Sequence, residues 1–344
     1  MRHLRLRSWM SLKTLAPVLL LLAVGTYGCN GGDDDEGGGP GGPGAFNFTE
    51  QNMSTAASIA IAGLEIIPNF SQITLQLLDF ILGSAAVQTA ALQPADVVPG
   101  LCQSGEADLD YNLIALTATL TFSECDPTGD GTLLDGTVTL AFTGIPVLGS
   151  SLNVDANVTM NVTSTDDVGS QEVTGSFGLS IYSSDLVDYA ATFTAADPTG
   201  KLRIREGGQT VTLGCFSIFL TFCLNCADSF NDGYFDLAGT SVINASGKVF
   251  SITTAGLGEL VFGPYPEGGM SYPDAGGMRF YSFVLSEGEG CAAVGSPNGV
   301  GNSDGSNFIL TALSGGDDDV ELELRDAEDT IVYTEDTTWS ALTD

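Results

Sequence analysis

Between Leu152 and Val162 the chain alternates without a break. Leu152, Val154, Ala156, Val158, Met160 and Val162 take every second place, and Asn153, Asp155, Asn157, Thr159 and Asn161 stand between them. Successive side chains of a strand point to opposite faces, so this pattern describes a strand with one apolar and one wet face. The same period of two recurs in Val138-Leu140-Phe142, Phe177-Leu179-Ile181, Phe216-Ile218-Leu220-Phe222 and Val320-Leu322-Leu324. Turn formers separate these runs: Asp130-Gly131, Asp135-Gly136, Gly207-Gly208 and Asp232-Gly233. Strands covered on a single side belong to antiparallel sheets. The sequence predicts a mainly β fold, a large curved antiparallel sheet in a barrel-like meander, with a two-sheet β-sandwich as the alternative.

Two helices are expected ahead of the strands, within 49–93. The Ala- and Ile-rich stretch from Thr49 to Ile67 stops at Pro68, which cannot continue a helix. Asn69 then has the character of an N-cap, with Gln72 three residues on as in a capping box. In the second helix Gln72, Gln76, Asp79 and Gly83 form one narrow polar stripe, and apolar side chains cover the remaining circumference. A helix apolar on most sides is buried on most sides, so the pair is expected on the apolar face of the sheet.

The first hairpin yields a disulfide by arithmetic. A turn at Asn112-Leu113-Ile114 pairs Tyr111 with Leu116, Leu109 with Ala118 and Ala107 with Leu120. That register sets Cys102 opposite Cys125 on the other face, predicting a Cys102–Cys125 bridge worth roughly 3–4 kcal/mol in the chain-entropy model. Cys215, Cys223, Cys226 and Cys291 are left as disulfide cysteines whose pairing the sequence does not decide.

The N-terminus reads as a leader. Arg2, Arg5, Arg7 and Lys13 precede the apolar run Leu15–Val24, about half the length a membrane-spanning helix requires. Thr26-Tyr27-Gly28-Cys29 resembles the lipobox of bacterial lipoproteins, in which the cysteine is lipidated and becomes the first residue. That resemblance implies a signal peptide over 1–28 and a lipid anchor at Cys29. Asn30 after it implies the outer membrane rather than the inner. Removing Cys29 from seven cysteines leaves six, an even set suited to an oxidising compartment. Residues 29–46 are expected to be a tether, since a Gly-rich chain of this length reaches roughly 20–25 Å. Residues 47–344 then form a single β-rich domain.

Later segments carry a second resemblance. Phe122-Ser-Glu-Cys125, Leu134-Asp-Gly136, Thr253-Thr-Ala-Gly256, Tyr265-Pro266 with Gly268-Gly269, Val320–Asp326 and Trp339-Ser-Ala-Leu342 are similar to an uncharacterised family of β-rich secreted or lipid-anchored proteins of Gram-negative bacteria. The stretch Gly288–Asn307 departs from that pattern. The family implies an architecture and a location and no activity.

Composition removes whole classes of function. Against 43 Asp and Glu stand 10 Lys and Arg, a net charge of −33, and loss of the four leader cations makes it −37. Nucleic acid, which needs clustered cations, is excluded as a partner. The one histidine, His3, belongs to the leader, so residues 29–344 hold neither a Ser-His-Asp nor a Cys-His arrangement nor a His-ligated metal. Cys223-Leu-Asn-Cys226 has redox-motif spacing but follows a strand, which favours a structural bridge. Asp126, Asp130, Asp228, Asp232 and Asp236 lie in acidic loops that invite calcium, yet none matches the twelve-residue loop ending in glutamate. Aspartate beside glycine is also what a β-turn requires.

No cofactor is expected. The reading is an envelope lipoprotein with a structural, adhesive or other interaction role and no catalysis. The alternatives are a carrier or chaperone of an apolar ligand held between sheet and helices, and a carboxylate-based glycoside hydrolase.

Overall fold

A computed structural model describes residues 44–45, 47–61, 96–97, 101–112, 114–127, 129, 131–144, 147–148, 151–166, 169–185, 188–196, 202–206, 209–223, 235–245, 248–262, 273–282, 291, 306–313 and 318–343. The fold is mainly β. Among the described residues nineteen strand segments join into one hydrogen-bonded sheet, antiparallel except for β1 (Gly44–Ala45).

The sheet is a meander. A two-residue strand, β2 (Asp96–Val97), opens it and pairs with β3 (Ser104–Asn112). From there β4 (Thr117–Asp126), β5 (Leu133–Phe142), β7 (Leu152–Thr165) and β8 (Ser170–Ser183) follow as successive neighbours. Short β6 (Val147–Leu148) prolongs the β5 row along β7. The next row is split: β9 (Asp188–Ala195) and β10 (Leu202–Glu206) lie end to end between β8 and β11 (Gln209–Cys223). β12 (Phe235–Ala245) is flanked in the same way by β13 (Lys248–Thr253) and β14 (Leu260–Phe262). β15 (Pro273–Ala275) and β16 (Gly277–Ser282) continue one another and lead through β17 (Asn307–Ala312) and β18 (Asp319–Arg325) to β19 (Ile331–Thr338). No pairing among the described residues joins β19 back to β2 or β3.

Alternation decides which face is inside. Along β7 burial alternates as the residues do, Leu152 to Val162 inward and Asn153 to Asn161 outward. The inner face forms one apolar cluster from Leu109 on β3 to Leu324 on β18, which also takes in Met53, Ala56, Ile59, Trp339 and Leu342. The first helix, α1, occupies residues 53–61. It starts four residues later than the composition suggests, because residues 50–52 form a turn in which the Asn52 and Met53 N–H groups donate to the Thr49 carbonyl at 3.1 and 3.2 Å. The Asn52 carboxamide oxygen braces that turn by accepting the Thr49 N–H at 2.8 Å, and its backbone carbonyl accepts the Ala56 N–H at 3.0 Å as the helix begins. Met53, Ala56, Ala57, Ile59 and Ala60 are almost wholly buried. The helix expected after Asn69 lies outside the described residues. α2 (Trp339–Thr343) closes the chain, its N-terminal Ser340 N–H held by Asp318 Oδ1 at 2.8 Å.

The first hairpin corrects the expected register. Leu109 pairs with Leu120, Tyr111 with Ala118 and Ala107 with Phe122, two residues on from the register read off the sequence. The turn is longer than expected: Asn112 Oδ1 accepts the N–H groups of Ile114 and Ala115, and Leu116 takes φ 53° before β4 begins. A shift of two keeps every side chain on its face, so the apolar pairing survives. A bulge then opens between Phe122 and Cys125, with Glu124 at φ 48°. One extra residue exchanges faces, and Cys125 turns into the core instead of lying on the outer side. Opposite the bulge is Gly136, at φ 124°. It belongs to β5, so Asp135-Gly136 is not a turn. A Cβ there would stand 2.1 Å from the Asn161 carbonyl oxygen.

Candidate functional site

Four groups of side chains carry whatever chemistry the described residues offer. The first is the pair of disulfides. Cys102 and Cys125 are bonded with Cα atoms 5.3 Å apart, as expected, although through the bulge rather than through direct opposition. Cys215 is bonded to Cys291 with Cα atoms 5.0 Å apart, which answers part of the question the sequence leaves open. A second bulge, between Gly214 and Ser217, explains how. Cys215 sits there at φ 45° and turns outward, packing with Val242, Val249 and Cys291 in a small cluster separate from the main core. Cys29 and Cys226 lie outside the described residues, and Cys223 is described only as the last residue of β11.

The second group is the loop after β4, one of the calcium candidates. Asp126 is buried, and its carboxylate is used by the chain itself. Oδ1 accepts the Gly129 N–H at 2.5 Å and Oδ2 the Gly131 N–H at 3.0 Å. This is an aspartate folding its own turn. Asp130, Asp228 and Asp232 lie outside the described residues, and Asp236 is described only by its place in β12, opposite Thr221 and Val261. Among the described residues no group of three or more His, Cys, Asp or Glu is arranged to hold a metal ion.

The third group was not singled out in the sequence. On the outer face of β16 to β18, Arg279 and Arg325 converge on Asp329 in the β18–β19 turn, at 3.3 and 3.5 Å. Arg325 also reaches Glu323 Oε2 at 2.6 Å and the Asp329 carbonyl at 3.2 Å, and Arg279 lies over the Tyr281 ring at 5.9 Å. The bond to Glu323 raises the Arg325 guanidinium above its ordinary value, against burial, which lowers it. Asp329 can reach both because its φ is 62°, in a turn that Asp326 closes by accepting the Glu328 and Thr330 N–H groups. A signal did exist: the alternation Glu321-Leu-Glu323-Leu-Arg325 puts three charges on one face. Arg279 arrives from a distant strand and leaves no local trace. The cluster is an ion-pair clasp that ties the last hairpin to β16.

The fourth group is Arg203 and Arg205, both exposed on the outer side of β10, with Arg205 4.0 Å from Glu172 on β8. At such exposure the pair contributes little. What the geometry defines is a disulfide-stapled antiparallel sheet protein with a continuous apolar inner face. No known protein family, curated protein or solved structure matches the chain.

Proposed function

We propose that this protein is a lipid-anchored envelope protein with a structural or adhesive role and no catalytic activity. In this reading the chain is exported by residues 1–28, anchored through a lipid on Cys29 at the outer membrane, and carried as one β-rich domain. The helices of 49–93 fill the apolar face of the sheet. The observation that carries the structural role is how the inner face is occupied. Phe280 stacks on Phe308 with ring centroids 4.0 Å apart, and Phe48, five residues ahead of α1, meets Phe308 edge-on at 4.9 Å. Here the protein's own aromatic rings pack against one another, which supports a filled inner face over a cargo site. The disulfides support an oxidising compartment, the absence of histidine from residues 29–344 supports a non-catalytic role, and the resemblance to secreted and lipid-anchored β-rich proteins points the same way.

Two measurements test this. Mass spectrometry of protein purified without denaturation is expected to find no stoichiometric lipid beyond that covalently bound to Cys29. A reproducible non-covalent lipid would replace the structural role with that of an apolar carrier. Cys29→Ser is expected to release the protein from the membrane fraction, and unchanged retention would remove the anchor.

A further inference from the structure

Two aromatic side chains are exposed among the described residues, Tyr182 at 54% and Phe219 at 37%. Register puts them on the same face. Tyr182 on β8 stands opposite Ala190 on β9, and Phe219 on β11 stands opposite Thr192, the next outward residue of β9. Their chain neighbours Ile181, Ile218 and Leu220 belong to the inner core, so both rings are on the outer side. β9 lies between them. The rings are therefore two strand spacings apart across the sheet, roughly 10 Å, and one outward step apart along it, roughly 7 Å.

The residues between the rings are small. β9 turns Ala190, Thr192 and Thr194 outward, with Ser180 beside them on β8 and Ser217 and Thr221 on β11. The result is a shallow floor carrying hydroxyl groups, with a ring on either side. Ser180 Oγ donates to Asp155 Oδ1 at 2.6 Å, which brings an exposed carboxylate to the rim. By register Asp188 lies one outward step before Ala190, and Asp236 lies opposite Thr221. On the other side the same face continues without charge through Asn157 and Thr159 on β7 to Thr139 on β5 and Thr119 on β4.

We infer that this outer face binds a neutral polysaccharide, an extended chain that crosses β9 with sugar rings stacked on Tyr182 and Phe219. The inference rests on the adhesive form of the role proposed above. The faces of aromatic rings carry partial negative charge and pack on the C–H faces of sugar rings. Sugar hydroxyls both donate and accept, so the Thr and Ser hydroxyls and the acceptor-only Asp155 carboxylate all find partners along such a chain. Charge selects the class of polymer. With 43 acidic residues against 10 basic ones, the protein repels an anionic polysaccharide and leaves an uncharged one free to approach. A protein interface is most apolar at its centre. Here the rings stand at the sides and the centre is Ala190 and Thr192, an arrangement that favours a sugar chain over a protein partner.

The test is affinity electrophoresis of the full-length protein in mild detergent, through native gels holding hydroxyethyl cellulose, galactomannan or dextran, with alginate as the anionic comparison. Retardation by at least one neutral polymer, unchanged by added salt, and none by alginate is the expected result. Tyr182→Ala or Phe219→Ala should weaken the retardation several-fold, and the double variant should abolish it. Ile331→Ala, which removes an exposed apolar side chain from β19, should leave it unchanged. Both rings lie outside the core, so the variants should unfold at the parent's temperature. Free passage through every neutral gel, retardation by alginate as strong as by the neutral polymers, or equal retardation of parent and double variant overturns the site and leaves the structural role standing. Shorter sugars released from a polymer that retards the protein keep the site and remove the non-catalytic reading.

Discussion

Strands β3 to β8 and strands β12, β13, β16 and β17 belong to one sheet, yet they bury their side chains differently. In the first group only the inner face is covered. Thr121, Thr137, Thr159 and Asn161 stand exposed outside, while Leu120, Leu140 and Val158 lie fully buried within. In the second group burial runs on through both faces: Val249, Phe250, Ser251, Ile252 and Thr253 in succession on β13, and Asn307 to Leu310 on β17. The outer side there is occupied, at Cys215, Val242 and Val249, by the cysteine brought in from Cys291. Alternation in sequence is a signature of one-sided coverage, and it fades where the second side is covered too. A strand with no clean period is therefore the more deeply buried one.

The sharpest way to break this comparison is to remove what holds the second cover in place. Cys215→Ser with Cys291→Ser opens a loop of 76 residues, which the chain-entropy model values at about 4–5 kcal/mol. Cys102→Ser with Cys125→Ser opens one of 23, at about 3 kcal/mol. Urea denaturation of both double variants is expected to rank them in that order. If the first double variant is the milder one, the outer cover contributes little. Non-reducing peptide mapping of the parent should show both bridges and no exchange between them.

Next in size is the aromatic centre of the doubly covered half. Phe308 is fully buried, stacked on Phe280 and met edge-on by Phe48. Phe308→Ala should cost about 3–5 kcal/mol, measured as a shift of the urea midpoint at constant slope. The reporter of interest is hydrogen exchange in α1. If residues 47–61 depend on this contact, their amides lose protection together with β17; retained protection in α1 would mean the helix is held by the first half of the sheet instead.

These outcomes bear on what was legible beforehand. The one-sided strands could be read because each obeys a single period and each turn is local. The Cys102–Cys125 bridge was also within reach, although for an incomplete reason: the register was off by two, and the Glu124 bulge restored the approach while moving Cys125 to the inner face. Bulges are where legibility stops. Nothing local in Gly214-Cys215-Phe216 announces that one residue is extra, yet that residue turns Cys215 outward and determines its partner. The Arg279–Asp329–Arg325 clasp was hidden for a related reason, since its members come from two strands and a turn that only the register assembles.

A smaller effect separates the two outer faces directly. Val242, on the covered side, is 2% exposed, whereas Thr159 occupies an exposed outward position on β7. Val242→Thr buries a hydroxyl with no change of shape and should cost about 1–3 kcal/mol. Thr159→Val is the reverse exchange on an open face, and its expected effect is within about 0.5 kcal/mol of zero. Equal costs at the two sites would mean that the outer side of β12 is no more protected than that of β7.

The smallest expected effect concerns the ion-pair clasp, and it tells whether charge or covering holds the last hairpin. Asp329 is half-exposed while Arg279, Arg325 and Glu323 are each about one-fifth exposed, so the attraction is partly screened. Asp329→Asn keeps the shape and tolerates the positive φ, because asparagine shares that preference with aspartate. The loss should be about 0.5–1 kcal/mol at low salt, and most of the difference between variant and parent should vanish near 1 M salt. Arg325 keeps its bond to Glu323 in this variant, so its charge is not left alone. Asp329→Ala removes the carbonyl oxygen of the side chain and the left-handed preference as well, and it should cost more than Asp329→Asn by an amount that salt does not reduce. If salt erases the cost of both variants alike, the turn depends on its charges alone and the backbone at position 329 carries no strain.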